Sequence, residues 1–345
     1  MSSAEAAGIG RLSFQGGKMK KTGPLLERLV YSFLTIVVAA TLLFLLFRLV
    51  PGDPSSTIIS PSMTQQARRE LLQQQGLDKP LYVQYVLYLR NLFTGNLGQS
   101  FLRGKSVLTV ILRTSANTLA LMLTSTVLVF LAGPILGALL AWNKGTWIDS
   151  LGFIVVLTLY ALPVFWTGML AIMFFSFRLG WFPPGGMHSS AFIPQGFFHS
   201  FFSLDFLRHL ALPLTVTSAY FLAIPTLTMR SNMIAVLGED FIQMARAKGL
   251  SERTVLFKHA IRNSLLPILH YAAIEIGFAF GGAIVIETVF SWPGLGRLMW
   301  QAVQAHDYPL AQGAFLSLVV IIVTLNLVAD FLSSYLDPRV MNNEF

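Results

Sequence analysis

The chain has 345 residues, of which 54% are hydrophobic and only 12% are charged, whereas soluble domains carry about 25% charged residues. This composition excludes a soluble globular domain, a disordered chain and a coiled coil. The sequence contains no Cys, which excludes disulfides, Cys-based zinc sites, iron–sulfur clusters and thiol catalysis. The formal net charge is +8, and in so apolar a chain we attribute it to basic cytoplasmic loops rather than to nucleic-acid binding. The sequence therefore predicts a polytopic membrane protein.

Six segments are apolar over about the 20 residues that a membrane-spanning helix requires. They are residues 29–50, 117–142, 151–177, 206–229, 267–290 and 313–335. Small residues such as Gly133 and Gly137 lie near the end of the second segment, and Pro163 interrupts the third. The expected fold is an all-α polytopic membrane protein with six transmembrane helices.

The basic residues of the short loops predict the orientation. With a cytoplasmic amino terminus, most of these residues lie on the inner side, so both termini are expected in the cytoplasm. The first apolar segment is too long for a cleavable signal peptide, so it is expected to remain as an anchor. The resulting parts are a cytoplasmic tail (1–28), a first span (29–50), an outer loop subdomain (51–116), a transmembrane core (117–335) with a cytoplasmic loop at 230–264, and a second cytoplasmic tail (336–345).

The outer loop subdomain is predicted to contain two helices. The first covers residues 64–75, and the second carries an apolar face formed by Leu81, Tyr85, Leu89 and Leu92. Residues 98–106 resemble a phosphate-binding P-loop, but five residues instead of four separate the first Gly from Gly-Lys-Ser. This segment also lies on the outer face, away from cytoplasmic ATP. We therefore expect no nucleotide binding by this chain.

Catalytic and metal-binding patterns are absent from the sequence. The six His residues form no pair at helical spacing, and neither Gly-x-Ser-x-Gly nor His-Glu-x-x-His occurs. We expect neither catalysis nor a metal site.

Three acidic residues fall within predicted spans, where charges are costly and often functional. Glu275 lies well inside the fifth span, Glu287 near its outer end and Asp330 toward the inner end of the sixth. These side chains either line a substrate path or form interhelical hydrogen bonds, for example with Asn326 or Thr324. Both alternatives stay open, although the position of Asp330 near the aqueous boundary favours a hydrogen bond.

The 230–264 loop is predicted to form two short amphipathic helices. Glu239 and Asp240 at the start of the first, with Arg246 and Lys248 at its end, suit the helix dipole, and Gly249 is placed to terminate it. One face is expected to contain Phe241, Ile242 and Ala245; in the second helix, capped by Ser251, the apolar stripe contains Val255, Leu256, His259 and Ala260. Such a protrusion is suited to docking in the groove of a partner, and a hairpin on the membrane surface is the alternative.

Residues 239–249, followed by Arg-Asn-Ser-Leu-Leu-Pro at 262–267, resemble the EAA loop of ABC importer permeases. The resemblance is to the dipeptide/oligopeptide/nickel branch of binding-protein-dependent transport. The other matching segments are Arg-Leu-Val-Pro-Gly-Asp-Pro at 48–54, Gly-Leu-Asp-Lys-Pro at 76–80, Gly-Asn-Leu-Gly at 95–98, Leu-Pro-Val-Phe-Trp at 162–166, Glu-Thr-Val-Phe-Ser-Trp-Pro-Gly-Leu-Gly at 287–296, Asp-Tyr-Pro at 307–309 and Asp-Pro-Arg at 337–339. The first two letters of the EAA pattern fall on Gln243 and Met244, a departure that the peptide branch shares.

This resemblance implies a type I ABC importer permease in the bacterial plasma (inner) membrane, forming half of a translocation path. The implied partners are a second homologous permease, two cytoplasmic ABC ATPase subunits, an extracytoplasmic solute-binding protein and membrane lipid, with no nucleic acid. The chain itself would bind no cofactor and catalyse no reaction, because ATP and Mg²⁺ would be held by the ATPases. ATPase coupling is implied for Glu239, Asp240, Ala245, Lys248, Gly249 and Arg262. A translocation path or gate is expected to include Glu275, Glu287, Trp292, Pro293 and Gly294.

An ion- or proton-coupled secondary carrier is the main alternative function. Such carriers are built from internal repeats with broken helices at matched positions, which the sequence does not show. A membrane-embedded enzyme is disfavoured by the missing catalytic residues. Peptide is the expected cargo, while nickel, oligosaccharides, opines and glutathione-like molecules stay open.

Overall fold

The computed structural model of the chain describes residues 23–49, 66, 79–101 and 103–336. In these ranges the backbone is largely helical, and β structure is limited to a bridge between Gln99 and Ser106. Several predicted features lie outside the described residues, namely residues 1–22 of the first tail, most of the helix expected at 64–75, and residues 50–54, 76–78 and 337–345.

The described helices are numbered here in chain order. The first seven are α1 (Gly23–Leu49), α2 (Leu81–Phe93), α3 (Val107–Trp142), α4 (Trp147–Ala161), α5 (Val164–Ala171), α6 (Phe197–Phe202) and α7 (Leu204–Phe221). They are followed by α8 (Ala223–Leu237), α9 (Asp240–Ala247), α10 (Glu252–Thr254), α11 (Ile261–Ser264), α12 (Leu266–Val289), α13 (Leu295–Gln304) and α14 (Tyr308–Leu336). Two π-helical turns continue α5 and join α10 to α11, at Ile172–Arg178 and Val255–Ala260.

Three described helices, α1, α3 and α14, are each long and apolar enough to cross a membrane. Two bent pairs meet the same test when each is taken as one span, which gives up to five candidates among the described residues. One pair is α4 with α5 and its π-helical turn, and the other is α7 with α8. The predicted fifth span coincides with α12, part of whose side chains lie outside the described part.

The third predicted span is not a straight helix, because its two halves meet at 101°. The break falls at Leu162 and Pro163. Proline has no backbone N–H and disfavours a helical conformation in the residue before it, and Leu162 is accordingly extended, with φ −76° and ψ 134°. The fourth span bends by only 40° and continues to the end of α8 at Leu237, so the first part of the segment expected as a loop is helical.

The closest helix packing in the described core joins α3 to α8. Gly133 and Gly137 lie one turn apart on the face of α3 that meets α8, and a Cβ atom on Gly137 would lie 2.6 Å from Cβ of Met229. Small residues at this spacing allow two helix backbones to approach closely, as in many membrane helix pairs. The pairing therefore requires glycine at these positions of α3.

Two apolar clusters lie along α3. Near its start, residues such as Leu121 pack with Phe290 and Trp292 in a cluster that also includes parts of α7, α12, α13 and α14. Near its end, Ala138 and Ala141 join α8 and the segment that follows it. Because α3 rises about 1.5 Å per residue, roughly 30 Å separate these two positions. A single helix therefore connects two sites at opposite ends of the molecule.

Candidate functional site

The end of α9 is defined by a C-terminal cap at Gly249. The backbone N–H of Gly249 donates to the carbonyl of Arg246 at 2.9 Å, and that of Leu250 donates to the carbonyl of Ala245 at 3.3 Å. This pair of bonds is the Schellman motif, which requires a left-handed residue, and Gly249 has φ +76°. The prediction that Gly249 terminates the helix is confirmed.

The inner face of α9 packs onto the rest of the chain. Ile242 is fully buried and Ala245 is 6% exposed, and both lie in one apolar cluster with Val255, Met229 and Met233. Ile242 and Ala245 therefore share one face of α9, as predicted, and that face is buried together with Val255 of the second stripe. Ala245, for which ATPase coupling was implied, is thus buried in a cluster of this chain that includes Met229 and Met233 of α8.

The outer face of α9 and the residues after it expose large apolar side chains. The exposed fractions are 40% for Phe241, 57% for Met244, 39% for Leu250 and 68% for Phe257. Phe241, predicted to share a face with Ile242 and Ala245, is exposed instead, because the chain's own core covers only Ile242 and Ala245. We call these four residues the exposed apolar face. Sequence reasoning overlooked Met244 and Phe257, although Phe241 and Met244 have the i, i+3 spacing of a second stripe.

Charged side chains surround the exposed apolar face. Glu239, Asp240, Lys248 and Arg262 are all exposed, as the prediction of a docking role requires. Arg246 forms an ion pair with Glu252, in which Nε lies 3.0 Å from Oε1, and so connects α9 to α10. Ser251 caps α10 by accepting a hydrogen bond from the Thr254 N–H, as predicted. The two short helices, which we call the projection, thus expose both large apolar and charged side chains.

A buried ion pair that sequence analysis missed anchors this projection from below. Arg230 on α8 binds Asp149 on α4 through two hydrogen bonds, of 2.7 Å from Nε to Oδ1 and 2.8 Å from the terminal nitrogen to Oδ2. Asp149 also accepts a bond of 3.2 Å from the Gly145 N–H, and the Arg230 guanidinium lies 5.4 Å from the centre of the Phe153 ring. The pair fixes the turn between α3 and α4 to the helix on which α9 rests.

The predicted outer gate residues lie around the turn between α12 and α13. Trp292 is fully buried, and its indole N–H donates to the carbonyl of Asn117 at 2.9 Å. The amide of Asn117 donates in return to the carbonyl of Pro293 at 2.8 Å. A Cβ atom on Gly294 would overlap the carboxyl group of Glu287, so only glycine fits there. The structure therefore brings four of the five predicted gate residues together against the start of α3.

Glu287 forms the interhelical hydrogen bonds that were one of its two predicted roles. Its carboxylate accepts a bond of 2.6 Å from the Thr118 hydroxyl and one of 2.8 Å from the Arg297 N–H, and the side chain is fully buried. The Thr118 hydroxyl accepts in turn from the Leu295 N–H at 2.7 Å. The side-chain partner is Thr118 on α3, and not one of the two examples on α14, Asn326 and Thr324. The side chains of Glu275 and Asp330 lie outside the described part.

A hydrogen-bonded loop lies between α5 and α7. His188 contacts Asp205, with 3.2 Å between Nδ1 and Oδ2, and stacks on Phe192 at a ring separation of 4.0 Å. Asp205 also accepts a bond of 3.0 Å from the Ser189 N–H. Burial lowers the pKa of the His188 imidazole, and the Asp205 carboxylate opposes that shift. These contacts hold the loop on the first turn of α7.

The segment that resembles a P-loop folds as a closed turn. Gly104 donates its N–H to the carbonyl of Ser100 at 2.9 Å, and Ser100 donates its own to the carbonyl of Lys105 at 2.9 Å. The Ser100 hydroxyl donates to Asp307 at 2.6 Å. The backbone N–H groups of Ser100 and Gly104 are therefore engaged within the chain.

Comparison with known proteins gives matches along most of the chain. Residues 133–342 match the family described as "Binding-protein-dependent transport system inner membrane component", and residues 23–124 match the amino-terminal region of such membrane components. A dipeptide transport system permease protein of Alkalihalophilus pseudofirmus is 32% identical over 328 residues, which cover 91% of this chain and 98% of the relative.

Two further relatives have similar names. An oligopeptide transport system permease protein of Bacillus subtilis is 36% identical over 318 residues, which cover 92% of this chain and 98% of the relative. A di/tripeptide transport system permease protein of Pseudomonas aeruginosa is 37% identical over 316 residues, which cover 87% of this chain and 93% of the relative.

Proposed function

Because the chain belongs to the family of binding-protein-dependent transport system inner membrane components, we propose that it is the permease subunit of an ATP-driven peptide importer, coupled to separate ATPases. As a member of this family the chain is a multi-pass protein of the plasma membrane. We propose six spans with both termini in the cytoplasm, formed by α1, α3, α4 with α5, α7 with α8, α12 and α14.

The observation that supports ATPase coupling is the exposed apolar face on α9 and the residues after it. Large apolar side chains that stay 39–68% exposed, in a segment that also exposes charged side chains, are typical of a surface that a partner covers. Two cytoplasmic ATPase subunits would hold ATP and Mg²⁺, and one of them would receive this projection in a groove. This chain would then bind no cofactor and hydrolyse no ATP.

The rigid connection from this projection to the outer end supports a role in alternating access. Movement of α9 would be transmitted through the apolar cluster that it shares with Val255, Met229 and Met233 to α8, and then to α3, which packs closely on α8. The far end of α3 holds the turn that contains Trp292 and Gly294. ATP-driven closure would therefore shift the outer turn against a second, homologous permease, with the translocation path between the two.

The names of the relatives support a proposal for the cargo of the transporter. The three relatives described above are named for dipeptides, oligopeptides and di- or tripeptides, which favours a peptide over nickel, an oligosaccharide, an opine or a glutathione-like molecule. An extracytoplasmic solute-binding protein would deliver the peptide to the outer surface. The secondary carrier described above lacks a supporting observation in the described residues.

Purification of the tagged chain at native expression in a mild detergent tests this function. We expect it to bring down a second six-span permease and P-loop ATPases, and reconstituted vesicles to take up a labelled tripeptide only with ATP and the binding protein. A chain that purifies alone and transports in vesicles with an ion gradient but no ATP would overturn the proposal.

A matched pair of variants tests the docking surface. Met244→Glu places a charge in the exposed apolar face, whereas Val86→Glu places one on α2, where Val86 is 61% exposed and far from α9 in the predicted topology. We expect Met244→Glu to lose the ATPases on purification and Val86→Glu to retain them, with both chains inserted in the membrane. Equal retention of the ATPases by the two variants would exclude docking at this face.

A further inference from the structure

A cavity of about 170 Å³ lies between α1, α2 and the start of α14. Three of the sequence segments that resemble importer permeases contribute residues to its lining. These residues are Arg48 from the first segment, Asn96 and Leu97 from the second, and Tyr308 and Pro309 from the third. These segments are far apart in the sequence, and the proposed coupling and gating roles do not involve them. We call this space the α1–α2–α14 cavity.

The charge of the cavity lining is positive. Among the described residues that line the cavity, Arg48 is the single cation and none is Asp or Glu. The Arg48 guanidinium carbon lies 5.6 Å from the centre of the Phe44 ring, and Arg48 forms no ion pair with a carboxylate of the described residues. A partly buried cation that has no counter-ion among the described residues favours binding of an anion.

The polar side chains beside Arg48 are suited to the same ligand. Asn91, Asn96 and Gln312 contribute amide groups to the lining. Burial raises the pKa of Tyr88 to about 12, so this phenol stays neutral and adds no negative charge. Tyr88 Oη and Gln312 Nε2 interact with each other and form no other hydrogen bond to the described residues, so a ligand can compete for both groups after a small rearrangement.

The position of the cavity indicates where the anion comes from. Arg48 lies in the last turn of α1, an apolar helix of 27 residues, and so at the level where lipid head groups meet the hydrocarbon core. Before this turn, α1 exposes Leu42, Leu45 and Leu46, with exposed fractions of 61%, 44% and 55%. Acyl chains can lie along this surface while a head group occupies the cavity.

We propose that the α1–α2–α14 cavity binds the phosphate-bearing head group of an anionic phospholipid, with Arg48 as its counter-ion. A zwitterionic lipid is disfavoured because its ammonium group would find no carboxylate in the lining. The proposed topology is needed only to assign the leaflet of the membrane from which the lipid comes, which would be the outer leaflet. Bound in this way, the lipid connects α1, α2 and α14 and secures the outer subdomain to the spanning helices.

Native mass spectrometry of the delipidated, assembled transporter tests the proposal by titration with phosphatidylglycerol or phosphatidylcholine. We expect tighter binding of phosphatidylglycerol by the wild type, and a loss of about tenfold in Arg48→Gln, as for a hydrogen-bonded charge pair. Arg48→Lys should lose less. Arg90→Gln is the matched control, since Arg90 lies on α2 but does not line the cavity, and it should bind like the wild type.

Three results would overturn the proposal. They are equal phosphatidylglycerol binding by Arg48→Gln and the wild type, equal binding of the two lipids by the wild type, and full displacement of phosphatidylglycerol by millimolar inorganic phosphate, which would assign the site to free phosphate. If Arg48→Gln does not assemble, Gln312→Leu is measured instead. We expect this variant to bind phosphatidylglycerol more weakly than the wild type, and unchanged binding would contradict the proposal. Lipid occupancy is measured without transport, so this outcome is independent of the ATPase docking test.

Discussion

Replacing Gly137 by Ala is expected to separate α3 from α8 and to destabilise the protein. The added Cβ would lie 2.6 Å from Cβ of Met229 and 3.0 Å from the backbone N of Arg230, and it would overlap the carbonyl oxygen of Thr226. Carbon atoms pack favourably at about 3.5–4.0 Å, so the helices must move apart by roughly 1 Å. Two of these three contacts are with backbone atoms, which cannot turn away as a side chain can.

The size of the effect follows from two opposing contributions. Overpacking of a tight contact costs about 1–3 kcal/mol, while replacing a mid-helix Gly by Ala recovers about 0.5–1 kcal/mol of conformational entropy. The expected net loss for Gly137→Ala is therefore about 1–2 kcal/mol. Gly152→Ala is the matched control, because its Cβ meets only the flexible end of the Leu140 side chain while the entropy gain is the same. For Gly152→Ala we expect a change near zero.

Both variants are to be measured by denaturant titration of the purified protein in mixed micelles, with helical circular dichroism as the signal. Gly137→Ala should unfold at a lower denaturant fraction than the wild type, and Gly152→Ala at the wild-type midpoint. Because α8 supports α9, Gly137→Ala should also reduce ATP-driven uptake. Coincident midpoints for the two variants would show that the α3–α8 contact tolerates a methyl group, and the close-packing explanation would then be wrong.

Two further changes probe the outer end. Thr118→Val removes the hydroxyl that binds both Glu287 and the Leu295 N–H, and should cost about 1–3 kcal/mol in the same titration, whereas Thr118→Ser should match the wild type. The lowered pKa of His188 means that the folded loop favours the neutral imidazole. The neutral His188 side chain therefore stabilises the loop at a pH above about 6.5, the pKa of histidine in an unfolded chain. This stabilisation is lost as the pH falls below that value. Hydrogen exchange of residues 186–203, corrected for intrinsic rates, should accelerate on acidification in the wild type and not in His188→Gln.

The spanning helices could be predicted from the sequence because their signal is local. Each of the six apolar segments coincides with a described helix or with a bent pair of helices. The ends of the helices were harder to predict. Helix α3 begins at Val107, about three turns before the apolar segment, because Arg113 and Thr114 interrupt the run of hydrophobic residues without ending the helix. Pro163 marked the site of the break in the third span, but the angle of 101° depends on how the two halves pack.

Burial on α9 shows the limit of helical periodicity. The helix has two apolar stripes, one with Ile242 and one with Phe241 and Met244, and the pattern alone cannot say which stripe the chain covers. The positions of Met229 and Met233 on α8 decide this, and they depend on the α3–α8 packing. The cap at Gly249 was predictable because its hydrogen bonds involve only neighbouring residues.

Polar contacts between distant residues could not be predicted. The Arg230–Asp149 pair joins residues 81 positions apart, and Thr118 binds Glu287 across 169 positions. Each of these side chains has several possible partners at the same depth in the membrane. The sequence indicated that Glu287 either lines a path or forms an interhelical hydrogen bond, but it could not identify Thr118 as the partner.

The ion pair and the glycine contact should not act independently, because both depend on the position of Arg230. Asp149→Asn alone removes a charged partner from a residue that is only partly exposed, with an expected loss of about 1–3 kcal/mol. In the Gly137→Ala background α8 is already displaced by roughly 1 Å, so the 2.7 Å and 2.8 Å bonds are weakened before the second change is made. The double variant should therefore lose less than the sum of the single variants, by about 1 kcal/mol in the same titration. Additive losses would mean that α8 stays in place when Gly137 is replaced, and that movement of α9 reaches the outer turn by another route.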